Sequence, residues 1–317
     1  MVQGISKLAQ STERILSEDG LKHIYKCAQA GHRPTLESLA GVLQISLDEV
    51  AALVTKMARH QLLRSEGDTF HLTADGTTYA LQIIRAHRLW EHYLAEETGF
   101  EEAEWHAQAD RREHQLSPAE VEALAAQLSY PSYDPHGDPI PTARGELEAP
   151  EALPLTTLKV GRLARIAHLE DEPAIVYSQL IAEGLYPGLI LQLTETGPQR
   201  IRFRAGEQDH LLAPLLAANI FVIPLTEKQT SALQPTERLA DLSLGQRGRV
   251  VSLSPACRGA ERRRLMDLGL VSGTIIRADL RSPGGDPTAY HIRGALIALR
   301  REQAALINII RLQEHEA

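Results

Sequence analysis

HAQADRREH, residues 106–114, sets two histidines and two carboxylates at positions 106, 110, 113 and 114. Offsets of four, seven and eight put His106, Asp110, Glu113 and His114 on one broad face of a helix. Upstream, in AHRLWEHYL (86–94), His87 and Glu91 stand four apart within a longer stretch of helical periodicity. Two antiparallel helices carrying such faces enclose imidazole nitrogens and carboxylate oxygens in one cluster. That donor set suits Mn2+, Fe2+, Co2+ or Zn2+, whereas calcium selects oxygen almost exclusively. The competing reading is a solvated helix with chance histidines. Packing separates the two, because a helix this polar needs a reason to dock. No activated serine or cysteine, phosphate-binding glycine loop or dinucleotide fingerprint accompanies the pattern, so the sequence reads as a binding protein and not an enzyme.

Working outward, 317 residues at 43% hydrophobic and 23% charged predict several globular domains. No apolar run reaches the length of a membrane span and the start lacks a signal-peptide pattern. Cys27 and Cys257 do not make a disulfide framework; no membrane insertion and a cytoplasmic location are expected. The charge is uneven. Residues 1–150 carry 13 basic and 23 acidic side chains, a balance of −10, and residues 151–317 carry 20 and 18, a balance of +2. An acidic half repels phosphate at long range, so any DNA binding there needs bound cations or a locally basic surface.

The first eighty residues predict short helices and a hairpin. One helix lies over 20–31 and the next opens at Pro34–Thr35. A third starts at Ser46, whose side chain and Glu49 form a capping box. Val50, Leu53, Val54 and Met57 line its inner face. Strands on either side of SEGD (65–68) follow. Three helices with a tight second junction and a β wing describe a winged helix-turn-helix. Thr73 caps a long helix, another covers about 101–115, and SPAE (117–120) starts a third. GELEAPEALP (145–154) reads as a link.

The remainder is an internal repeat. LKVGRLARIAHL (158–169) resembles LSLGQRGRVVSL (242–253), and Gly161, Gly184 and Gly188 recur as Gly245, Gly269 and Gly273. Each copy reads as strand, helix, glycine turn and alternating strands, suiting a small SH3-type barrel. KQTSALQP (228–235) is the seam.

AHRLWEHYL, HAQADRREHQLS (106–117) and PHGDPIP (135–141) together resemble the metal-dependent transcription regulators of the diphtheria-toxin-repressor family, which includes manganese-responsive members. ERRRLMDLGLVSGT (261–274) and SPGGDPTAYHIRGALIALRREQA (282–304) resemble FeoA-like domains of ferrous-iron transport systems. The resemblance implies a multidomain α+β chain: a winged helix-turn-helix domain at 1–82, a helical metal-binding and dimerisation domain at 83–145, and two FeoA-like, SH3-like β-barrels at 155–227 and 235–317. It also implies two adjacent metal sites. His87, Glu91 and His106 match the ancillary one, joined by a third-domain donor, Glu170 or Glu172, with Glu172 preferred. Asp19, Asp110, Glu113 and His114 match the primary one. The family's iron-responsive members hold sulfur where Asp19 and Asp110 stand, and hard oxygen favours Mn2+ or Fe2+, with Zn2+ and Co2+ as in vitro substitutes. The manganese branch has a glutamate where this chain has Lys22.

The function implied is a homodimeric, Fe2+- or Mn2+-dependent repressor bound to operator DNA. Its expected DNA-facing residues are Ser46, Asp48, Glu49, Ala51, Ala52, Lys56, Arg59 and Arg64, with Lys7 and Arg14 toward the backbone. Acidic residues at a helix start favour the helix dipole but oppose phosphate. Over residues 1–82 the balance is 8 basic to 9 acidic. The alternative is a metal-sensing regulator with weakened DNA contact, acting through its FeoA-like units on a ferrous-iron transport component, with Arg262, Arg263 and Arg264 as its interface. A second subunit is expected to cover the surplus apolar residues of the long helix, among them Tyr79, Ile83, Ile84, Leu89 and Trp90.

Overall fold

The computed structural model describes residues 2–148, 151–206, 208–231, 237–254 and 256–312; the side chains before Thr12 and that of Ser231 lie outside the description. Parts of the expected link and seam, and the side chain of Lys7, therefore fall beyond it. The chain divides into two compact units. One comprises Met1–Tyr93, Glu104–Asp134 and Asp138–Ala149; the other comprises Leu94–Ala103, Pro135–Gly137 and Pro150–Ala317.

The first unit opens on α1, Val2–Gln29, which is far longer than the segment expected from residue 20. Apolar periodicity is weak before Gly20, but nothing in that stretch stops a helix. Helices α2 (Leu36–Leu43) and α3 (Leu47–Arg59) meet at 106°, within the range of a helix-turn-helix. The turn between them starts at Gln44, whose φ of 54° closes α2 in the left-handed region. Ser46 and Glu49 complete the capping box on α3. Strands β1 (Leu63–Glu66) and β2 (Thr69–Leu72) pair antiparallel around a tight turn. Leu21, Ile24, Leu39, Val50, Leu53, Val54, Met57 and Phe70 form the core beneath.

Thr73 accepts from the amide of Gly76 and caps α4, Ala74–Glu97. A 3-10 turn at Glu102–Glu104 precedes α5, Trp105–Glu113, so the expected 101–115 helix is shorter and starts as a different helix type. Its docking residues are Trp105, Ala109 and Glu113, all buried. The last helix of the unit, α6 (Pro118–Gln127), has the predicted Ser117–Glu120 capping box. Ala86, Leu89, Val121, Leu124, Ala125 and Ile140 make a second core here. Ile83, Ile84 and Leu89 are buried within the single chain. Tyr79 and Trp90 are half-buried, so the apolar surplus of α4 is only in part absorbed inside the protomer.

The second unit shows the repeat strand by strand. The first copy runs β3 (Leu153–Pro154), β4 (Leu163–Leu169), α7 (Ala174–Ala182), β5 (Ile190–Thr196), β6 (Ile201–Ala205), β7 (Gln208–Leu212), α8 (Pro214–Ala217) and β8 (Ile220–Pro224). After α9 (Glu227–Ser231), the second runs β9 (Glu237–Arg238), β10 (Arg247–Leu253), α10 (Gly259–Asp267), β11 (Ile275–Arg281), β12 (Thr288–Ile292), β13 (Ala295–Leu299), α11 (Arg301–Ala305) and β14 (Ile307–Leu312). Strand orders are β3-β8-β4-β5-β6-β7 and β9-β14-β10-β11-β12-β13, all antiparallel and equivalent position by position. Both β4 and β10 carry a bulge, at Ile166/His168 and Val250/Ser252. Gly188 and Gly273 take φ of 96° and 86° and donate equivalent hydrogen bonds to Ile166 and Val250; these conformations strain any residue with a Cβ. Phe203 on β6 and Tyr290 on β12 are central in two separate cores. Both sheets resemble SH3-like folds, and among the described residues no pairing joins the edge strands of either sheet.

Candidate metal centre

Three helices of the first unit converge their ionisable side chains. The contributions are Glu18, Asp19 and Lys22 from α1, His87 and Glu91 from α4, and His106, Asp110 and Glu113 from α5, with His114 just beyond it. Glu18, His87, Glu91, Glu113 and His114 are all buried. Burying so many charges is costly unless each is paired or holds a cation.

The structure gathers them in two adjoining groups. In the first, the side chains of His87, His106 and Asp110 offer donor atoms all within 4.8 Å of one another. Glu91 completes it: His87 Nε2 lies 3.0 Å from Glu91 Oε1, His106 Nδ1 lies 3.2 Å from the same oxygen, and the two ring nitrogens are 3.3 Å apart. Two ligands of one transition-metal ion, each about 2.1 Å from it, stand roughly 3.0–3.4 Å apart. The triangle therefore has the dimensions of one face of a coordination shell, and the residues fit a divalent ion. In the second group, His114 Nε2 is 3.2 Å from Asp19 and 3.4 Å from Glu113.

Glu113 joins the two groups. One of its oxygens is 2.6 Å from His87 Nδ1, which turns Nε2 toward Glu91 and His106. A carboxylate behind an imidazole in this way fixes the ring and raises its basicity toward a metal. Lys22 Nζ donates to both Glu113 oxygens, at 2.8 and 2.9 Å, and to Asp110 at 3.2 Å. Burial opposes the charge on Lys22, but Glu113 and Asp110 outweigh it and hold the ammonium above its ordinary range. Burial likewise opposes the charge of His87, and Glu91 reverses the effect, so its pKa is raised. For Asp110, burial is outweighed by Lys22, His87 and His106, and its carboxyl is held low. Burial of His114 is overcome by hydrogen bonds to Asp19 and Glu18, and its imidazole is pushed up to about 9.

Glu18 escaped the sequence reading. Its two oxygens accept from Tyr79 and meet His114 Nδ1 at 2.6 Å, leaving Nε2 of His114 for Asp19 and Glu113. Only the tertiary packing of α1 distinguishes it from any surface glutamate beside Asp19. Glu172 lies in the second unit, exposed just before α7, and belongs to none of the donor groups among the described residues. Its neighbour Asp171 is 3.8 Å from His136 of the same unit.

On the helix-turn-helix, Asp48, Ala52, Arg59 and Arg64 are exposed and Ala51 is half-buried. Ser46 and Glu49 are bound to each other by the capping box. Lys56 pairs with Glu13. Arg14 donates to the carbonyl of His114 and lies 3.7 Å from Glu18, with its side chain 56% exposed. Exposed Val42 and Leu47 flank the turn. In the second unit, Arg263 pairs with Glu97 at 2.8 Å and Arg262 lies 3.9 Å from Glu96. Two of the three arginines proposed for a partner are engaged within the chain.

The model for the iron dependent repressor metal binding and dimerisation domain matches residues 73–142, and the FeoA domain model matches 237–311. The iron-dependent repressor IdeR of Mycobacterium leprae is 31% identical over 181 residues, which are 56% of this chain and 77% of that protein. The chain belongs to the iron-dependent repressor family. Two further family members are matched over less of their length: IdeR of Mycobacterium tuberculosis is 34% identical over 58% of its length, and the diphtheria toxin repressor of Corynebacterium diphtheriae is 32% identical over 54%. Among solved structures, a manganese-dependent transcriptional repressor in complex with manganese superposes with a TM-score of 0.61 at 27% identity, covering 66% of this chain and all of that one. The repressor ScaR with bound Zn2+ gives 0.57 at 27% identity, covering 66% and 99%. Family repressors are transcriptional regulators, and the clustered His, Asp and Glu side chains here can chelate a divalent transition metal. Among the described residues no single helix is long and apolar enough to cross a membrane.

Proposed function

We propose that this chain is a transcriptional repressor that binds operator DNA as a homodimer when loaded with Fe2+ or Mn2+, and that it has no catalytic role. The observation that carries the reading is the His87–Glu91–His106 triangle, set against α1 by the buried Glu113. When bound, the ion supplies positive charge to a pocket rich in carboxylates. The residues that would hold it lie on α4 and α5, and Lys22 and Glu113 link them to α1, which leads into the helix-turn-helix. Asp110 is assigned as a further donor to that ion, Asp19 and His114 as the donors that a second ion would take, and Glu172 remains the donor proposed from the third domain. The division proposed for the chain is 1–82, 83–145, 155–227 and 235–317.

DNA contact is assigned to Asp48, Ala51 and Ala52 at the groove, with Lys56, Arg59 and Arg64 toward phosphate. Ser46 and Glu49 support the helix start. A second reading draws on the same surface. The exposed start of α3 offers two acids, Asp48 and Glu49, and apolar groups but no base, which suits a regulator acting through its FeoA-like units on an iron-transport protein. The test is retention of the protein's own upstream DNA at fixed salt, with Mn2+ or Fe2+ and after chelation. Metal-dependent binding that is lost in Asp110→Ala supports the repressor. Failure at low salt, where phosphate attraction is strongest, supports the second reading.

A further inference from the structure

We propose that Lys22 is a built-in cation standing in for one of the ions of a paired metal centre, so that each chain takes a single divalent ion, at His87, Glu91 and His106. This rests on the metal-dependent reading above and adds the ion count to it. The Lys22 side chain is 13% exposed and donates to three carboxylate oxygens on two residues, while the Glu113 side chain it meets is fully buried. Glu113 is the buried carboxylate of the second group, and Asp110 stands between Lys22 and the histidines of the first. Both already face a positive charge that cannot diffuse away. An ammonium has only donors and no lone pair when protonated, so it cannot join an ion's shell; a second divalent cation there would sit against it as a like charge.

Lys22 reaches the first group at Asp110, outside the triangle formed by His87, Glu91 and His106. The triangle's three donor atoms face one another, and the only contact of His87 with Glu113 is through the opposite ring nitrogen. Lys22 instead favours it, by holding Glu113 in place against His87. The lysine also ties α1 to α5 whether or not an ion is present. Metal arriving at the His87 site thus adds to a clamp that is already half-formed.

Counting ions tests this. Metal-free full-length protein is dialysed against Mn2+ and the bound metal measured per chain, for the wild type and for Lys22→Met and Lys22→Glu. One ion is expected for the wild type, none for His106→Ala, and two for each Lys22 variant. Two ions in the wild type, or one in the folded Lys22 variants, overturns the inference while leaving a metal-dependent regulator intact. No ion in the wild type overturns the metal-dependent reading and this inference with it. A readout on the unaltered protein covers variants that fail to fold. The 15N ammonium resonance of Lys22 is expected to persist after saturation with diamagnetic Zn2+, and its loss at saturation would show the lysine displaced.

Discussion

Glu113 is asked to serve three neighbours with two oxygens: His87, Lys22 and, at 3.4 Å, His114. Replacing it with Gln keeps the shape but removes the charge that orients His87. Glu113→Gln is expected to weaken metal binding by about 10–100-fold, the usual cost of losing a group behind a ligand. Metal titration followed by direct detection of the bound ion measures it, and unchanged affinity would strip Glu113 of that role. His114 gives a pH dependence. Its imidazole is raised to about 9 in the folded chain by Asp19 and Glu18, against about 6.5 in an unfolded one. The charged form is favoured by folding, so its stabilisation is complete below about pH 6.5 and lost as pH climbs through 9. Metal-free protein should therefore lose on the order of 2 kcal/mol between these limits. Denaturant melts at several pH values check this, and stability that stays level or increases over that window contradicts it. At this scale the sequence showed His87, Glu91, His106, Asp110, Glu113 and His114 through their helical spacing alone. Glu18 was not legible as a site residue and Lys22 only as a departure from the glutamate that the resemblance implies there, because the contacts of both come from where α1 lies and not from any periodic pattern.

Among the elements, α3 is the most readable and the most ambiguous in use. Its caps and inner face follow from local chemistry, and all four predicted core residues are buried. Ser46→Ala should cost about 1 kcal/mol of stability through the lost cap. It should leave metal affinity unaltered, since the cap lies apart from the donor groups; a metal titration beside a denaturant melt separates the two effects. A change in metal affinity without a change in stability would contradict this account. The extent of α1 was hidden because a helix can be prolonged through a polar stretch once tertiary packing supplies the stabilisation. Conversely, the packing of Leu89 against α6 could not be read from α4 alone, so the sequence leaves open how much of its apolar surplus one chain covers. The repeat was legible because its glycines are required by the backbone. Gly188 and Gly273 occupy equivalent left-handed positions, so they survived while the surrounding side chains diverged.

For the whole molecule, four separate apolar cores in two compact units predict unfolding in more than one step. Calorimetry of the chelated protein should resolve at least two transitions. Saturating Mn2+ should move only the one that melts the first unit, by an amount equivalent to about 2.7 kcal/mol at a hundredfold excess over Kd. A single transition, or equal displacement of all of them, would mean the units do not unfold separately. The bridge from Lys22 to Asp110 and Glu113 also bears on how sharply such a regulator answers its environment. A centre that must collect two ions from solution responds to the square of their free concentration. Where one of those charges is encoded in the polypeptide, each protomer's occupancy follows a simple hyperbola. Any ultrasensitivity in the dose–response then has to come from coupling between protomers on DNA.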